Sequence, residues 1–261
     1  MITHKEIING LKNFEFQKGN PVIVHTSLKA IGEIEGGAET LLSALIEFFT
    51  ENDGLLCVPT HTWESMVLDL NTPQSCIGVL PTVAAAHPRG VRSMHPTHSV
   101  TVFGSKCRAE EFVRGENAID TPTSPDGCYG KLYKEDGYVL LIGVGQTKNT
   151  YLHCVEEMLG VPNRLTDDMV SAQIIHKNGQ SETRKLHWFD EIIPDVSVNF
   201  GKFEAAFRYH GCIQDGFIGD AATQFCSAVK MKNVMELIYK NAGGRELLAD
   251  NLPLDESLYK F

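Results

Sequence analysis

Apolar positions along this chain follow two periods, one of helices and one of strands. Residues 3–12 place Ile7, Ile8 and Leu11 on one side of a short amphipathic helix. After the turn at Gly19-Asn20-Pro21, Val22-Ile23-Val24 reads as a short buried strand, followed by His25-Thr26-Ser27-Leu28. Gly32 to Gly37 is loop. Leu41, Leu42, Leu45, Ile46 and Phe49 then recur at helical spacing and predict a helix from about Ala38 to Thr50. Asp53-Gly54 turns the chain into a second strand, Leu55–Val58, ended by Pro59. Strand, helix and strand in succession favour a parallel pair with a right-handed crossover.

From His61 to Gly78 the pattern is irregular, with Trp63, Glu64 and Asp69 inside it; loops of this length over a rigid sheet often carry sites. Leu80–Ala86 reads as a short helix with Pro81 in its first turn. The second half of Arg92–Gly104 alternates as a strand does. A helix is expected around Glu110-Glu111-Phe112-Val113, and residues 120–127 are turn-rich.

The most informative stretch is Gly137–Gly160. Tyr138 to Val144 is a continuous apolar run bounded by glycines, the pattern of a strand buried on both faces. A polar turn follows, in which Asn149 or Thr150 could cap a helix. That helix puts His153 and Glu156 three residues apart, on one face, and is stopped by Gly160 and Pro162. Strand, glycine turn and helix in this order commonly present a side chain at the carboxyl end of a sheet.

After Pro162, Met169–Ile175 and Glu182–Trp188 read as a hairpin around His176-Lys177-Asn178-Gly179. A polar segment leads to strands Cys212–Ile218 and Ala221–Val229 around Gly219-Asp220. A helix, Asn233–Tyr239, closes the pattern before Gly243-Gly244. The expected architecture is α/β: a mixed, largely parallel central sheet flanked by helices, with an antiparallel C-terminal section, in one domain over residues 1–261.

Composition narrows the function. The chain has 261 residues, 43% hydrophobic and 21% charged, enough for a large packed core. Its formal charge of −10 argues against a nucleic-acid surface. The seven cysteines are scattered with no CxxC pair, which fits reduced thiols in a cytoplasm rather than disulfides or a zinc ribbon. No apolar run approaches membrane-spanning length, and Met1–Leu11 lacks the apolar core of a secretion signal. No G-x-S-x-G elbow is present, which disfavours a serine hydrolase. His95-x-x-His98, with His153, leaves a metal-dependent hydrolase as one alternative. Glu64, Asp126, Asp167, Asp168 and Asp190 are candidate anions for a cationic ligand. Spacing alone makes His153 and Glu156 an ordinary helical pair.

Several segments together resemble the aminoglycoside 3-N-acetyltransferase, or antibiotic acetyltransferase, family. They are Val24-His25-Thr26-Ser27-Leu28, Val58-Pro59-Thr60, Arg92-Ser93-Met94-His95-Pro96 with Ser99-Val100, Ser124-Pro125-x-Gly127, Gly130-Lys131-Leu132-Tyr133, Gly137–Gly145, and Asn149-Thr150-x-x-His153-x-x-Glu156, with a weaker match at Gly216–Ala221. The resemblance implies the family's fold, acetyl-coenzyme A as donor, a primary amine as acceptor and no metal. The expected acceptor is the 3-amino group of a 2-deoxystreptamine aminoglycoside, as in antibiotic resistance.

It further implies direct transfer, with His153 as general base, Glu156 orienting the imidazole and Thr150 near the thioester oxygen. Glu157 is expected to be a solvated charge. His25, Thr26, Ser27, Leu28, His98, Ser99 and Val100 are expected to hold coenzyme A, the last two through extended backbone. Glu64, Asp126, Asp167 and Asp190 are expected to meet the acceptor. The protein is expected to be a monomer or homodimer, away from membranes. Between Trp63 and Gly90 the chain departs from the family, which carries a longer insert there and a glutamate where Thr82 falls. A non-catalytic acyl-coenzyme A-binding homologue is the other alternative.

Overall fold

The structure, a computed structural model, describes residues 1–260. Its strands are β1 (Pro21–Thr26), β2 (Leu55–Pro59), β3 (Val67–Asp69), β4 (Val91–Arg92), β5 (Val100–Phe103), β6 (Tyr138–Ile142), β7 (Leu165–Ile175), β8 (Ser181–Phe189), β9 (Ile213–Ile218) and β10 (Ala221–Ser227). Its helices are α1 (His4–Leu11), α2 (Leu28–Ile31), α3 (Gly37–Phe49), α4 (Val79–Ala86), α5 (Lys106–Phe112), α6 (Cys128–Lys134), α7 (Tyr151–Met158), α8 (Glu204–Tyr209) and α9 (Ala228–Ala242).

The main sheet has the order β4-β5-β2-β1-β6-β10-β9. Its centre is parallel: β1 pairs with β2 (Ile23 opposite Cys57) and with β6 (Ile23 opposite Val139). Both wings are antiparallel, through β2–β5 on one side and β6–β10–β9 on the other. The expected mixed α/β sheet is therefore present, and the two C-terminal strands extend it rather than pack upon it. The expected hairpin β7–β8 instead forms a second sheet of three strands with β3.

Two apolar layers cover the main sheet, and the strands feed them alternately. Ile23, Val139 and Leu141 point to the layer holding Leu132 of α6, Leu152 and Val155 of α7 and Met231 of α9. Val22, Val24, Leu140 and Ile142 point to the layer holding Leu41 and Leu45 of α3 and Leu80 of α4. Covered on both faces, the central strands read as unbroken apolar runs. Burial of each such aliphatic side chain stabilises the fold by roughly 1.5–3 kcal/mol.

Local chemistry sets the ends. Thr3 and Glu6 form a reciprocal capping box on α1. Gly243, at φ 60°, ends α9, which is longer than Asn233–Tyr239 because its buried face continues from Ala228 to Ile238. The segment expected to be polar after β8 coils as a 3-10 helix over Val196–Phe203 and then α8. It buries Phe200, Phe203 and Phe207 in the α7 layer.

β6 is left through Gly143, at φ 65°, where a Cβ would stand 2.3 Å from the Ala30 Cβ. Left-handed backbone and that contact both require glycine. Gly143→Ala is expected to destabilise the protein by about 2–4 kcal/mol, combining left-handed strain with overpacking. The urea midpoint should fall accordingly; an unchanged midpoint would refute the close approach of the β6 turn to α2.

Candidate active site

The parallel strands β2, β1 and β6 end on the same side, and a cavity of about 650 Å³ opens there. Its wall carries His25, Thr26 and Ser27 from the end of β1, Val58 and Pro59 from β2, and Val144, Thr147, Lys148, Asn149 and Thr150 from the turn after β6. α7 contributes His153. The other sheet contributes Trp188 and Phe189 at the end of β8, and Asp190 and Asp195 follow in the segment beyond. Strand period explains His25: two residues on from Ile23, it falls on the α7 side of the sheet.

His153 is half-buried, its ring 4.6 Å from that of Phe189 and 4.7 Å from that of Phe200. Burial, reinforced by the Arg164 charge and opposed by Asp195, lowers its pKa to about 3. The imidazole is therefore uncharged at neutral pH. The His61 and His98 rings meet at 4.4 Å with their planes tilted by 50°, and both are likewise held neutral by burial. His61 Nε2 lies 2.7 Å from the buried Tyr129 hydroxyl.

Glu156 makes no hydrogen bond to His153, contrary to the expected pair. Its Oε1 accepts from Arg164 Nε at 2.8 Å and from the Tyr239 hydroxyl at 2.6 Å. Arg164 in turn holds Glu246 in a two-pronged pair at 2.9 and 3.0 Å. This network ties α7 to α9 and the C-terminal segment. Sharing a helical face with His153 placed Glu156 one turn on, where it meets Arg164 rather than the imidazole. Burial raises the Glu156 pKa, and Arg164 opposes that rise. Glu157 is not a solvated charge: it is half-buried and accepts from Thr121 Oγ1 at 2.7 Å and from Thr123 N at 3.2 Å.

The hydroxyls of Ser27 and Thr150 take no part in capping the helices they precede. Thr150 stands at the N-cap position of α7, with helical dihedrals and no side-chain capping bond. Asn149 donates to Gln146 Oε1 at 2.8 Å, and its own Oδ1 is buried without a partner. His25 Nε2 and Thr26 Oγ1 are also buried and unpartnered. Three such polar atoms on one cavity wall fit a ligand that brings both donors and acceptors, as the amides of pantetheine do. Lys148 is exposed and could meet a phosphate.

Other expected cofactor residues are placed elsewhere. Leu28 packs against the α3 layer and does not line the cavity. Val100 is wholly buried in β5, its N–H donating to Ser93 Oγ at 3.0 Å and its carbonyl accepting from Ser93 N at 2.9 Å. The Ser99 carbonyl accepts from Thr60 N at 2.8 Å, and its hydroxyl donates to Thr60 O at 2.7 Å. Both backbone groups of Val100, and the carbonyl and hydroxyl of Ser99, are thus taken within the protein. His98 does line the cavity.

Of the expected acceptor carboxylates, only Asp190 lies on the wall. Asp126 is exposed and paired with Lys134 Nζ at 2.9 Å. Asp167 and Asp168 are exposed on β7, and Glu64 is exposed beside Trp63. Asp195, not singled out in the sequence, joins Asp190; its only sequence signal was position just after a strand end. Thr82 donates to Gly78 O at 2.9 Å inside α4.

The hydrolase constellation does not form. His95 Nδ1 accepts from His98 N at 2.9 Å, so Nε2 carries the proton and donates to Thr121 O at 3.0 Å. With both nitrogens engaged, His95 has none for a metal. Among the described residues, no three His, Cys, Asp or Glu side chains converge as ligands would. Nor, among them, is any helix long and apolar enough to cross a membrane.

Comparison with known proteins places this arrangement. The sequence profile of the family described as aminoglycoside 3-N-acetyltransferase matches residues 23–239. The SPbeta prophage-derived aminoglycoside N(3')-acetyltransferase-like protein YokD of Bacillus subtilis (strain 168) is 26% identical over 225 residues, covering 76% of this chain and 80% of that protein. Its crystal structure superposes with a TM-score of 0.78 at 22% identity, covering 94% of this chain and 96% of that one. Aminoglycoside N(3)-acetyltransferase VII of Streptomyces paromomycinus is 25% identical over 257 residues, covering 87% of this chain and 88% of that protein. AAC-IIIb, solved as a binary complex with CoASH, has a TM-score of 0.74 at 20% identity, covering 90% of this chain and 94% of that one. With well over half of its length matched by the family profile, this acyltransferase chain belongs to the aminoglycoside 3-N-acetyltransferase family.

Proposed function

We propose that the protein transfers the acetyl group of acetyl-coenzyme A directly to an amino group, with His153 as general base. The observation that carries this reading is His153 on the wall of a strand-end cavity that also bears unpartnered buried polar atoms. The CoASH complex of AAC-IIIb supports the donor. The family description makes the 3-amino group of an aminoglycoside the first acceptor to test.

An ammonium has no lone pair, so the acceptor must arrive as free amine. As its nitrogen attacks the thioester carbonyl it becomes cationic and strongly acidic. A neutral imidazole, even one of low basicity, can take that proton. The departing thiolate then recovers a proton as the free thiol. Negative charge developing on the carbonyl oxygen is met by the first turn of α7, with Thr150 beside it. His25, Thr26, Ser27 and Asn149 bind the pantetheine arm, with Lys148 toward its phosphates. The role of Glu156 is to fix α7, through Arg164 and Tyr239, so that His153 keeps its place. A binding protein that keeps the fold is the second reading; coenzyme A would then raise the melting temperature while no amine releases thiol.

His153→Ala is expected to lower kcat by about 10²–10⁴-fold with little change in acetyl-coenzyme A affinity, measured by thiol release and by calorimetry. Turnover within a few-fold of the parent enzyme would remove the base. Ser27→Trp should weaken acetyl-coenzyme A binding by about tenfold or more, and equal calorimetric affinity would contradict the cradle.

The pH profile follows from the same imidazole. Its folded pKa lies below the ordinary value, so the base stays unprotonated throughout the assay range. Between pH 6 and 9, kcat/KM should rise only as the acceptor ammonium deprotonates. An acid limb near the ordinary histidine value, moving with no change of amine, would count against this environment.

A further inference from the structure

Resting on the N-acetyltransferase reading, we infer that His61 is a further catalytic residue: its Nδ1–H donates a hydrogen bond to the carbonyl oxygen of the acetyl thioester, in a tautomer fixed by Tyr129. His61 lines the cavity two residues beyond the end of β2. Its backbone is pinned on both sides, since Thr60 N donates to Ser99 O and Thr62 N to Thr97 O, each at 2.8 Å. Its own carbonyl accepts from Cys76 N at 2.9 Å and from Ser75 Oγ at 3.0 Å.

Tyr129 is 2% exposed, and its hydroxyl has one hydrogen-bond partner among the described residues, His61 Nε2 at 2.7 Å. A buried O–H needs an acceptor, so it donates to Nε2, and the proton of the neutral imidazole is on Nδ1. Among the described residues nothing bonds Nδ1, so its N–H is left to whatever fills the cavity. Tyr129 is itself set by the start of α6. Cys128 N donates to the buried Glu116 at 2.5 Å, and Gly127 makes room for that carboxylate, since a Cβ there would stand 2.5 Å from Glu116 Oε1.

Attack by nitrogen pushes negative charge onto the thioester oxygen, and backbone donors around the cavity are largely spent. Ser27 N donates to Ile142 O at 2.9 Å and Asn149 N to Gln146 O at 3.0 Å. In α7, Leu152 N donates to Asn149 O at 3.1 Å and His153 N to Thr150 O at 3.2 Å. The α7 dipole remains, and a fixed side-chain N–H adds to it. In the sheet β1 lies between β2 and β6. Tyr129 belongs to the same apolar layer as α7, so His61 and His153 serve the same side of the sheet. A thioester lying across the end of β1 would have the base on one flank and this donor on the other.

The test uses acetyl-coenzyme A carrying carbon-13 at the thioester carbonyl, bound to the full chain and read by difference infrared spectroscopy, beside thiol release with gentamicin. The carbonyl stretch of the bound donor is expected below its value in buffer, and His61→Phe should return it toward that value. His61→Phe should also lower kcat by about 10²-fold, with calorimetric acetyl-coenzyme A affinity little changed. His61→Asn, whose amide can stand where Nδ1 stood, should keep part of the shift and part of the turnover. Tyr129→Phe frees the tautomer and should weaken both the shift and kcat without raising the gentamicin KM. Equal stretches in the parent and in His61→Phe overturn this inference alone. Should His61→Phe not fold, an unaltered stretch and kcat in Tyr129→Phe overturn it equally. A stretch that depends on His61 with no gentamicin consumed reduces the hydrogen bond to a binding contact and counts against the N-acetyltransferase reading. Acetyl-coenzyme A failing to bind removes both.

Discussion

The site depends on one constraint: β1 and β6 are sealed by apolar layers on both faces. Along Val22–Val24 and Val139–Ile142 every side chain is wrapped by helices, and polar groups are excluded. Polar residues therefore collect where the strands stop. His25 and Thr26 close β1, Gly143 turns the chain out of β6, and Asn149 and Thr150 begin the return through α7. The cavity is the place where the apolar layers run out and the backbone changes direction.

The same packing sets the electrostatics. Five histidines, His25, His61, His95, His98 and His153, lie near one another, and burial lowers the pKa of each. A set of neutral imidazoles can crowd together where imidazolium ions would repel. His95 is consumed by backbone bonds, His61 meets Tyr129, and His153 faces Phe189 and Phe200. Charge in this part of the protein is concentrated instead in Glu156–Arg164–Glu246. That pairing is tight because Arg164 and Glu156 are both almost wholly buried.

Much of this was legible in the sequence because it is local. The apolar run at Tyr138–Val144, the glycine turn and the start of α7 are consecutive, and their period declares them. The β7–β8 hairpin was marked by Asn178-Gly179. The phenylalanines at 200, 203 and 207 carried helical spacing, hidden among the polar residues of their segment. What could not be read was tertiary pairing. Nothing near Glu156 in the chain announces Tyr239, 83 residues away, or Glu246 beyond it. The i,i+3 rule says which residues share a face, not which of them is taken by a third group. Ser99 and Val100 were placed by resemblance on a cofactor edge, but the edge is filled by Thr60 and Ser93. Glu64, Asp126 and Asp167 were expected beside Asp190 and lie off the wall for a similar reason. Surface acids are common, and only the path of the chain beyond β8 singles out Asp190 and Asp195.

The cavity is built from two sheets of unequal commitment. Its floor is the wrapped parallel core, where a change of one methyl group disturbs layers above and below. Its roof, the end of β8 and residues 190–197, hangs from a three-stranded sheet with one largely solvent-facing strand. The roof meets the floor at Val196, which belongs to the α7 layer, and at Phe189, whose ring lies 4.6 Å from that of His153. Of the roof residues on the cavity wall, Asp190 lies outside those packed layers, so a change there would alter what the wall presents to a ligand with little disturbance of the frame.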